Sequence, residues 1–237
     1  MKFLPGRFSR SEIEGVLSVS SKLTASGDRI AFLSRLFLGI PYRASTLSGS
    51  IAENEQLIID LESVDCFTLL DYVEALRRAT NFDEFTGYLI RTRYRDGIVS
   101  FVRRNHFFTD WPLYNAVYIR DVTGALGDTA SRRVQKVLNR KQDGSLFIQG
   151  ISPVMREIAF IPPVLLSSRV SEMLLTGDYA GIYSDIPGLD VSHVGFIIRE
   201  GADILFRHAS VRRGEVVDED FRNYISQKPG VIILRPQ

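Results

Sequence analysis

The sequence predicts an α+β protein in which helices come first and a mostly antiparallel sheet follows. Apolar residues recur at helical spacing through the first third of the chain, whereas the last third consists of short β-rich segments separated by Gly, Pro and Asp. No linker rich in Pro, Gly or Ser divides these two parts. We therefore expect one domain spanning residues 1–237, with a helical N-terminal part, residues 1–60, packed on the rest.

Two helices are predicted in the first third. Ser9 is followed three positions later by Glu12, close to the pattern of a capping box, which favours a helix over residues 9–23. Residues 27–39 have apolar side chains at helical spacing and end at a glycine, which indicates a second helix. A proline and a Ser/Gly cluster then predict a loop, and residues 55–61 favour a short strand.

A third helical pattern begins at Cys66, the only cysteine of the chain. The apolar residues from Leu69 to Leu76 share one face, and the charged residues lie mostly opposite. Asp65 is a favoured N-cap type, which places Cys66 in the first turn. The unpaired N–H groups and the helix dipole there can bring a thiol pKa from about 8.5 toward 3.5–7.5. An inert core cysteine is the competing interpretation.

The middle of the chain gives weaker signals. Residues 82–94 continue as a helix, and residues 112–170 mix turns with basic helical pieces. Basic residues cluster at 91–97 and 132–141, a pattern typical of solvated faces.

Two of the three histidines lie in the β-rich last third. Alternation places His193 on the same strand face as Gly195, and places His208 on the same face as Phe206. If these two strands form a hairpin, the imidazoles lie near each other across neighbouring strands. The predicted strands cover residues 177–184, 192–200, 203–210 and 230–236, with a hairpin turn between the second and the third.

Cys66, His193 and His208 together supply the parts of a cysteine nucleophile site. A thiol needs a base to take its proton, and the base needs a third group that fixes its tautomer. Two plain sheet histidines are the alternative. A metal site that also includes His106 lacks support, because no HxH or HxxxH spacing occurs.

Composition narrows the function classes. A net charge of +1 gives no strong field toward nucleic acid or an anionic membrane. One cysteine excludes an intramolecular disulfide framework. The sequence contains no run of 18 apolar residues, so no membrane span is predicted. Residues 1–15 lack the apolar core and cleavage site of a signal peptide, although a trimmed chain would look the same.

The order of the motifs resembles the NlpC/P60 cell-wall hydrolases. In that family an Asp-Cys opens a helix, a Gly-Asp starts a strand, a His-Val-Gly follows, and a His-Ala ends the next strand. More narrowly, the chain resembles the DUF1460 family, described as N-acetylmuramoyl-L-alanine amidase-like, from about Phe37 to Arg235. Further matching pieces are "FLGIPYRASTLSGS", "RTRYRDG", "RRNHFFTDWPLYN" and "GLDVSHVG".

The resemblance implies a papain-like core in which the cysteine helix packs on an antiparallel sheet, with extra helices around it. It implies Cys66 as the nucleophile and His193 as the base. His208 matches the third polar residue that orients the base, and Ser210 and Asp190 remain alternatives for that role.

The stretch "RRNHFFTDW" is more polar and aromatic than a core requires. We expect Trp111 to stack on the substrate, and Arg104 and Asp110 to contact its charges. A loop anchored by its aromatic residues is the alternative. The other candidate substrate-binding residues are Asp65, Tyr42, Arg43, His106 and Ser192.

These expectations describe a cysteine amidohydrolase that cleaves an amide bond in peptidoglycan through a thioester intermediate. The bond is either that between N-acetylmuramic acid and L-alanine or one within the stem peptide. No metal or organic cofactor is implied, and the substrate class implies a periplasmic or other extracytoplasmic location. The alternatives are a thioester-forming acyltransferase on the same fold and a muropeptide-binding module without turnover.

Overall fold

A computed structural model describes all residues of the chain, 1–237. Its helices are α1 (Arg10–Ser20), α2 (Ser26–Arg35), α3 (Cys66–Arg78), α4 (Phe82–Arg93), α5 (Trp111–Tyr114), α6 (Thr123–Gly127), α7 (Ser168–Met173) and α8 (Phe221–Ile225). Its strands are β1 (Lys2–Leu4), β2 (Ile58–Asp60), β3 (Ile119–Asp121), β4 (Arg132–Leu138), β5 (Val154–Phe160), β6 (Tyr179–Tyr183), β7 (Val191–Glu200), β8 (Asp203–Ser210), β9 (Glu215–Asp220) and β10 (Val231–Pro236). None of the helices is both long and apolar enough to cross a bilayer.

The centre of the fold is a six-stranded sheet in the order β3-β10-β6-β7-β8-β9. Every neighbouring pair in this sheet is antiparallel, so the predicted α+β class is confirmed. Each of the four β segments predicted in the last third contains a strand. The hairpin between β7 and β8 turns at Gly201, whose φ of +63° is a conformation that glycine adopts at little cost.

The two faces of this sheet belong to different apolar clusters, as strand alternation requires. On β7, Phe196 packs with the helices α1–α4, whereas Ile197 packs on the opposite side with α6, α7 and α8. Phe206 of β8 belongs to the second side. The predicted alternation of the two strands is therefore confirmed, and it directs both histidines to the same face of the sheet.

Helix α3 is buried on nearly all sides, which the sequence pattern did not predict. Its charged residues were expected mostly on the face opposite the apolar one, but Asp71 is 2% exposed and Glu74 is fully buried. Asp71 accepts a hydrogen bond of 2.7 Å from Nε of Arg93, which is itself only 1% exposed. Ion pairs with neighbouring elements therefore replace water around this helix, because an unpaired buried charge is strongly destabilising.

The basic segment at 132–141 was expected to be solvated and helical, and the helical part of this expectation is wrong. Residues Arg132–Leu138 form β4, which pairs antiparallel with β5 from Arg132↔Phe160 to Leu138↔Val154. The partner strand lies more than fifteen residues further along the chain. A local window of sequence does not contain that partner, so charge composition outweighed the strand signal.

Candidate active site

Helix α3 begins with a complete capping box. The Asp65 carboxylate accepts the backbone N–H of Thr68 at 2.7 Å, and the Thr68 hydroxyl accepts the backbone N–H of Asp65 at 3.0 Å. Asp65 is therefore the N-cap, as predicted, and Cys66 is the first residue of the helix. The cap fixes the direction in which the cysteine leaves the helix.

The surroundings of Cys66 oppose ionisation of its thiol. The backbone N–H groups of Val194, Cys66 and Phe67 lower the thiol pKa. Burial and, after it, the negative charge of Asp65 outweigh them and raise the pKa of Cys66 to about 12. The expectation of an acidic thiol at the helix start is therefore wrong, because the dipole competes here with desolvation and a nearby carboxylate. At neutral pH the cysteine is a thiol that needs a base.

The bases available are the two sheet histidines. Nε2 of His193 lies 2.7 Å from Nδ1 of His208, which is hydrogen-bond distance. Burial and the neighbouring His208 lower the pKa of His193 to about 3, and burial also lowers the pKa of His208. Both imidazoles are therefore neutral at pH 7, so one ring donates and the other accepts. The Cys66 sulfur contacts the backbone N–H of Val194, the residue after His193, so the cysteine lies against the strand that carries this histidine.

Aromatic rings hold the imidazoles in place. The ring of Phe206 stacks on His208 with a centroid distance of 4.7 Å and an angle of 18°. Tyr224, on α8, lies 5.1 Å from His208 and 6.2 Å from His193 between ring centroids. Gly195 leaves room for this arrangement, because a Cβ at that position would lie 2.6 Å from the Phe206 ring.

Of the three candidates for the group next to His193, only His208 makes contact with it. Asp190 is buried and accepts from the backbone N–H and the hydroxyl of Thr109 at 2.8 and 2.9 Å. Ser210 accepts a long hydrogen bond of 3.3 Å from the backbone N–H of Arg213. Among the three candidates, His208 is therefore the one in contact with His193.

Glu219, on the edge strand β9, was not among the residues predicted from the sequence. Oε2 of Glu219 lies 3.4 Å from Nε2 of His208, and Oε1 lies 2.8 Å from Nη2 of Arg212. Strand β9 was not predicted, since its sequence "EVVDED" is strongly acidic and resembles a turn. The only signal available was the alternation of residues along β9. That alternation places Glu219 on the same face as His208 only once β9 is known to pair with β8.

A cavity of about 860 Å³ opens on the histidine pair. This volume is in the range of small-molecule sites. Ser192, His193 and His208 line it, as does Tyr224, but Cys66 does not. Burial, the charge of Glu219 and then that of Cys66 raise the pKa of Tyr224 to about 12, so this cavity-lining phenol is close enough to the thiol to sense its charge. Of the predicted binding residues, Ser192 is the one that lines the cavity.

The predicted substrate wall around Trp111 is wrong, because its side chains are buried. Trp111 is fully buried and packs edge-on against Phe67 and Tyr179, with centroid distances of 5.8 and 5.4 Å. Asp110 is also fully buried and forms ion pairs with Arg95 and Arg156 at 3.2 and 3.0 Å. This segment is the anchored loop that was the alternative interpretation.

Arg104 and His106 also have structural partners. Nη2 of Arg104 lies 2.7 Å from Glu55, whose side chain is fully buried. Nε2 of His106 lies 2.7 Å from the carbonyl oxygen of Phe101, and burial lowers the pKa of this histidine to about 4. Neither residue lines the cavity, so their expected substrate contacts are not supported.

The loop after Pro41 pairs with the segment that precedes Cys66, through a bridge between Tyr42 and Val64. Burial, followed by the charges of Cys66 and Asp65, raises the pKa of Tyr42, which places this phenol near the thiol. Arg43 forms an ion pair with Asp60 and remains 57% exposed. Tyr42 is therefore positioned for a role near the cysteine, while the guanidinium of Arg43 is held at the outer edge of this loop.

These features define a class of protein: an α+β protein with a cysteine at the start of a central helix, against the sheet strand that carries one of two hydrogen-bonded histidines. Residues 32–231 match the family described as AmiA-like, N-acetylmuramoyl-L-alanine amidase-like. The chain belongs to this family, which confirms the resemblance to DUF1460 seen in the sequence. A comparison with curated protein sequences gives no significant match.

Solved structures share the fold over nearly the whole chain. A DUF1460-family protein from Legionella pneumophila is 24% identical, with a TM-score of 0.82, covering 96% of this chain and 94% of that one. An N-acetylmuramoyl-L-alanine amidase from Bacteroides uniformis is 25% identical, with a TM-score of 0.78, covering 90% and 99%. A protein from Bacteroides fragilis with the provisional name xylanase is 25% identical, with a TM-score of 0.68, covering 85% and 98%.

Proposed function

We propose that this protein is a cysteine amidohydrolase of the NlpC/P60 type, with a papain-like core, that cleaves the bond between N-acetylmuramic acid and L-alanine in peptidoglycan. The observation that carries the proposal is the contact of the Cys66 sulfur with the N–H of Val194, the residue after His193, whose Nε2 lies 2.7 Å from Nδ1 of His208. Membership of an amidase-like family supplies the substrate class. The protein would then act outside the cytoplasm, where peptidoglycan lies.

In the first half of the reaction, His193 takes the proton from the Cys66 thiol as the sulfur attacks the amide carbonyl carbon. The raised thiol pKa and the lowered imidazole pKa favour a neutral resting pair, so proton transfer accompanies the attack. His193 returns the proton to the leaving amine as the C–N bond breaks, which leaves a thioester. Water then hydrolyses the thioester and restores the thiol, with His193 again acting as base.

The helix start also supplies donors for the oxyanion of each tetrahedral intermediate. The backbone N–H groups of Cys66 and Phe67 are in the first turn of α3, where they have no partner within the helix. A donor of this kind contributes about 3–4 kcal/mol to transition-state stabilisation. Tyr42 also lies near the sulfur.

Two other reactions fit the cavity less well. An acyltransferase that takes a lipid acyl group needs an apolar entrance, but three of the fifteen lining residues are hydrophobic. A glycosidase needs one protonated and one ionised carboxyl group across the bond. Asp218 is instead held by Arg207 at 2.7 Å, and Glu219 is held by Arg212, so neither is free to act as an acid.

Mass spectrometry of purified muropeptides incubated with the protein tests the proposal. The wild type is expected to release an intact stem peptide that begins with L-alanine, and Cys66→Ala to release none. His106→Gln is the matched control for loss of a histidine, since His106 lies outside the cavity. Absence of cleavage by the wild type would refute the peptidoglycan substrate. Products cut within the stem would instead identify an endopeptidase, and equal cleavage by Cys66→Ala would exclude Cys66 as nucleophile.

A further inference from the structure

Glu219 occupies the outer end of a line of polar groups that runs from His193 through His208. His208 is 2% exposed at its side chain, and its Nε2 has no hydrogen-bond partner within normal limits. The carboxylate of Glu219, at 3.4 Å, is the charged group next to that nitrogen. A buried ring N–H that lacks any acceptor is costly. This carboxylate therefore has to be the acceptor for the N–H at Nε2 of His208.

Glu219 is an acceptor that does not donate. Its side chain is 16% exposed, and its other oxygen lies 2.8 Å from Arg212 and 3.5 Å from Arg213. Burial alone would raise the pKa of Glu219, but the hydrogen bond from Arg212 and the nearby His208 hold it below its usual range. The carboxylate is therefore ionised at neutral pH, and an ionised carboxylate has only acceptor sites.

An acceptor at this end fixes every proton along the line. If Nε2 of His208 carries the proton toward Glu219, then Nδ1 of the same neutral ring has a free lone pair. Nδ1 of His208 faces Nε2 of His193 at 2.7 Å, so Nε2 of His193 must donate. The remaining nitrogen of His193, Nδ1, is then unprotonated, and it is the nitrogen available to take the thiol proton of Cys66.

We infer that Glu219 is a positioning residue that sets the tautomers of both histidines and so makes His193 a base toward Cys66. The inference rests on the proposed function for its catalytic consequence, although the tautomer pattern itself exists without substrate. The residue acts through His208 and does not touch the reacting atoms. When His193 gains the thiol proton, the negative charge of Glu219 also stabilises the positive charge on the two rings.

The direct test is ¹⁵N NMR of the imidazole nitrogens, which reports the protonated nitrogen of each ring. Only three histidines need to be assigned. In the wild type we expect the proton on Nε2 of both His193 and His208. Glu219→Gln can turn its amide N–H toward His208, so we expect His193 and His208 to gain the Nδ1–H tautomer. Glu215→Gln is the control, because it removes the same charge from an exposed position on the same strand.

Activity gives the second measurement. We expect Glu219→Gln to lower kcat about 100-fold with little change in KM, at the lower end of what a general base contributes. Glu219→Ala should lower kcat at least as much, and Glu215→Gln should match the wild type. Wild-type tautomers at His193 in both Glu219 variants would overturn the inference, as would an Nδ1–H tautomer of His193 in the wild type. Failure of the wild type to cleave muropeptides would refute the proposed function alone, since the NMR measurement needs no substrate.

Discussion

Replacing Gly195 by alanine tests whether close packing under the histidine pair maintains the site. The added Cβ would lie 2.6 Å from the carbonyl oxygen of Arg207 and 2.6 Å from the ring of Phe206. Both distances are far below van der Waals contact, and the first involves backbone of the neighbouring strand. Overpacking of this kind costs about 2 kcal/mol, which for a chain of this length lowers Tm by about 4–8 °C. Because Phe206 stacks on His208, the strain also displaces the imidazole pair.

The matched control is Gly87→Ala, which makes the same chemical change in the exposed face of α4. A Cβ at Gly87 meets no atom within 4 Å. An alanine in a helix is favoured over glycine by about 0.5–1 kcal/mol, so this variant should be slightly more stable than the wild type. Thermal unfolding followed by circular dichroism measures the stability of both variants. Muropeptide cleavage shows whether Gly195→Ala also displaces the imidazole pair. Wild-type Tm and activity in Gly195→Ala would refute the packing argument.

Two further predictions concern ionisation. Asp65→Asn keeps an N-cap side chain but removes the charge that raises the Cys66 pKa, so the thiol should titrate below the wild-type value of about 12. The pH dependence of its reaction with iodoacetamide measures this pKa. An unchanged pH profile would contradict the prediction. The pKa of His193 is about 3 in the folded protein and about 6.5 in the unfolded chain. As the pH falls, the unfolded chain therefore protonates this imidazole before the folded protein does. The free energy of unfolding should therefore fall as the pH drops from about 6.5 toward 3. Denaturant titrations at several pH values measure this change. A free energy of unfolding that does not depend on pH would contradict the burial of the imidazole.

Local sequence patterns predicted the elements that depend on nearby residues. The Ser9 capping box at the start of α1 and the Asp65 N-cap of α3 both occur as predicted. Period-two alternation placed His193 and His208 on one face, and the short turn at Gly201 fixed their strands as neighbours. These predictions succeeded because caps, turns and alternation are decided within a few residues.

Predictions that required knowledge of burial failed. Trp111 and Asp110 were expected to contact substrate, but both are fully buried. A sequence shows which side chains are polar or aromatic, but it does not show whether a salt bridge such as Asp110–Arg156 compensates the burial of a charge. The same reason applies to Asp71 and the other polar residues of α3.

The fold class, the cysteine at a helix start and two histidines on one face of neighbouring strands all followed from local patterns in the amino-acid sequence. How these groups ionise depends on the packed fold. Burial and Asp65 keep Cys66 protonated, where the helix start alone favours a thiolate. The packed fold also brings Glu219 of β9 to 3.4 Å from His208, across a strand pair that no local pattern specifies. Desolvation and distances between strands are properties of the packed chain, so they become visible only when its elements are assembled.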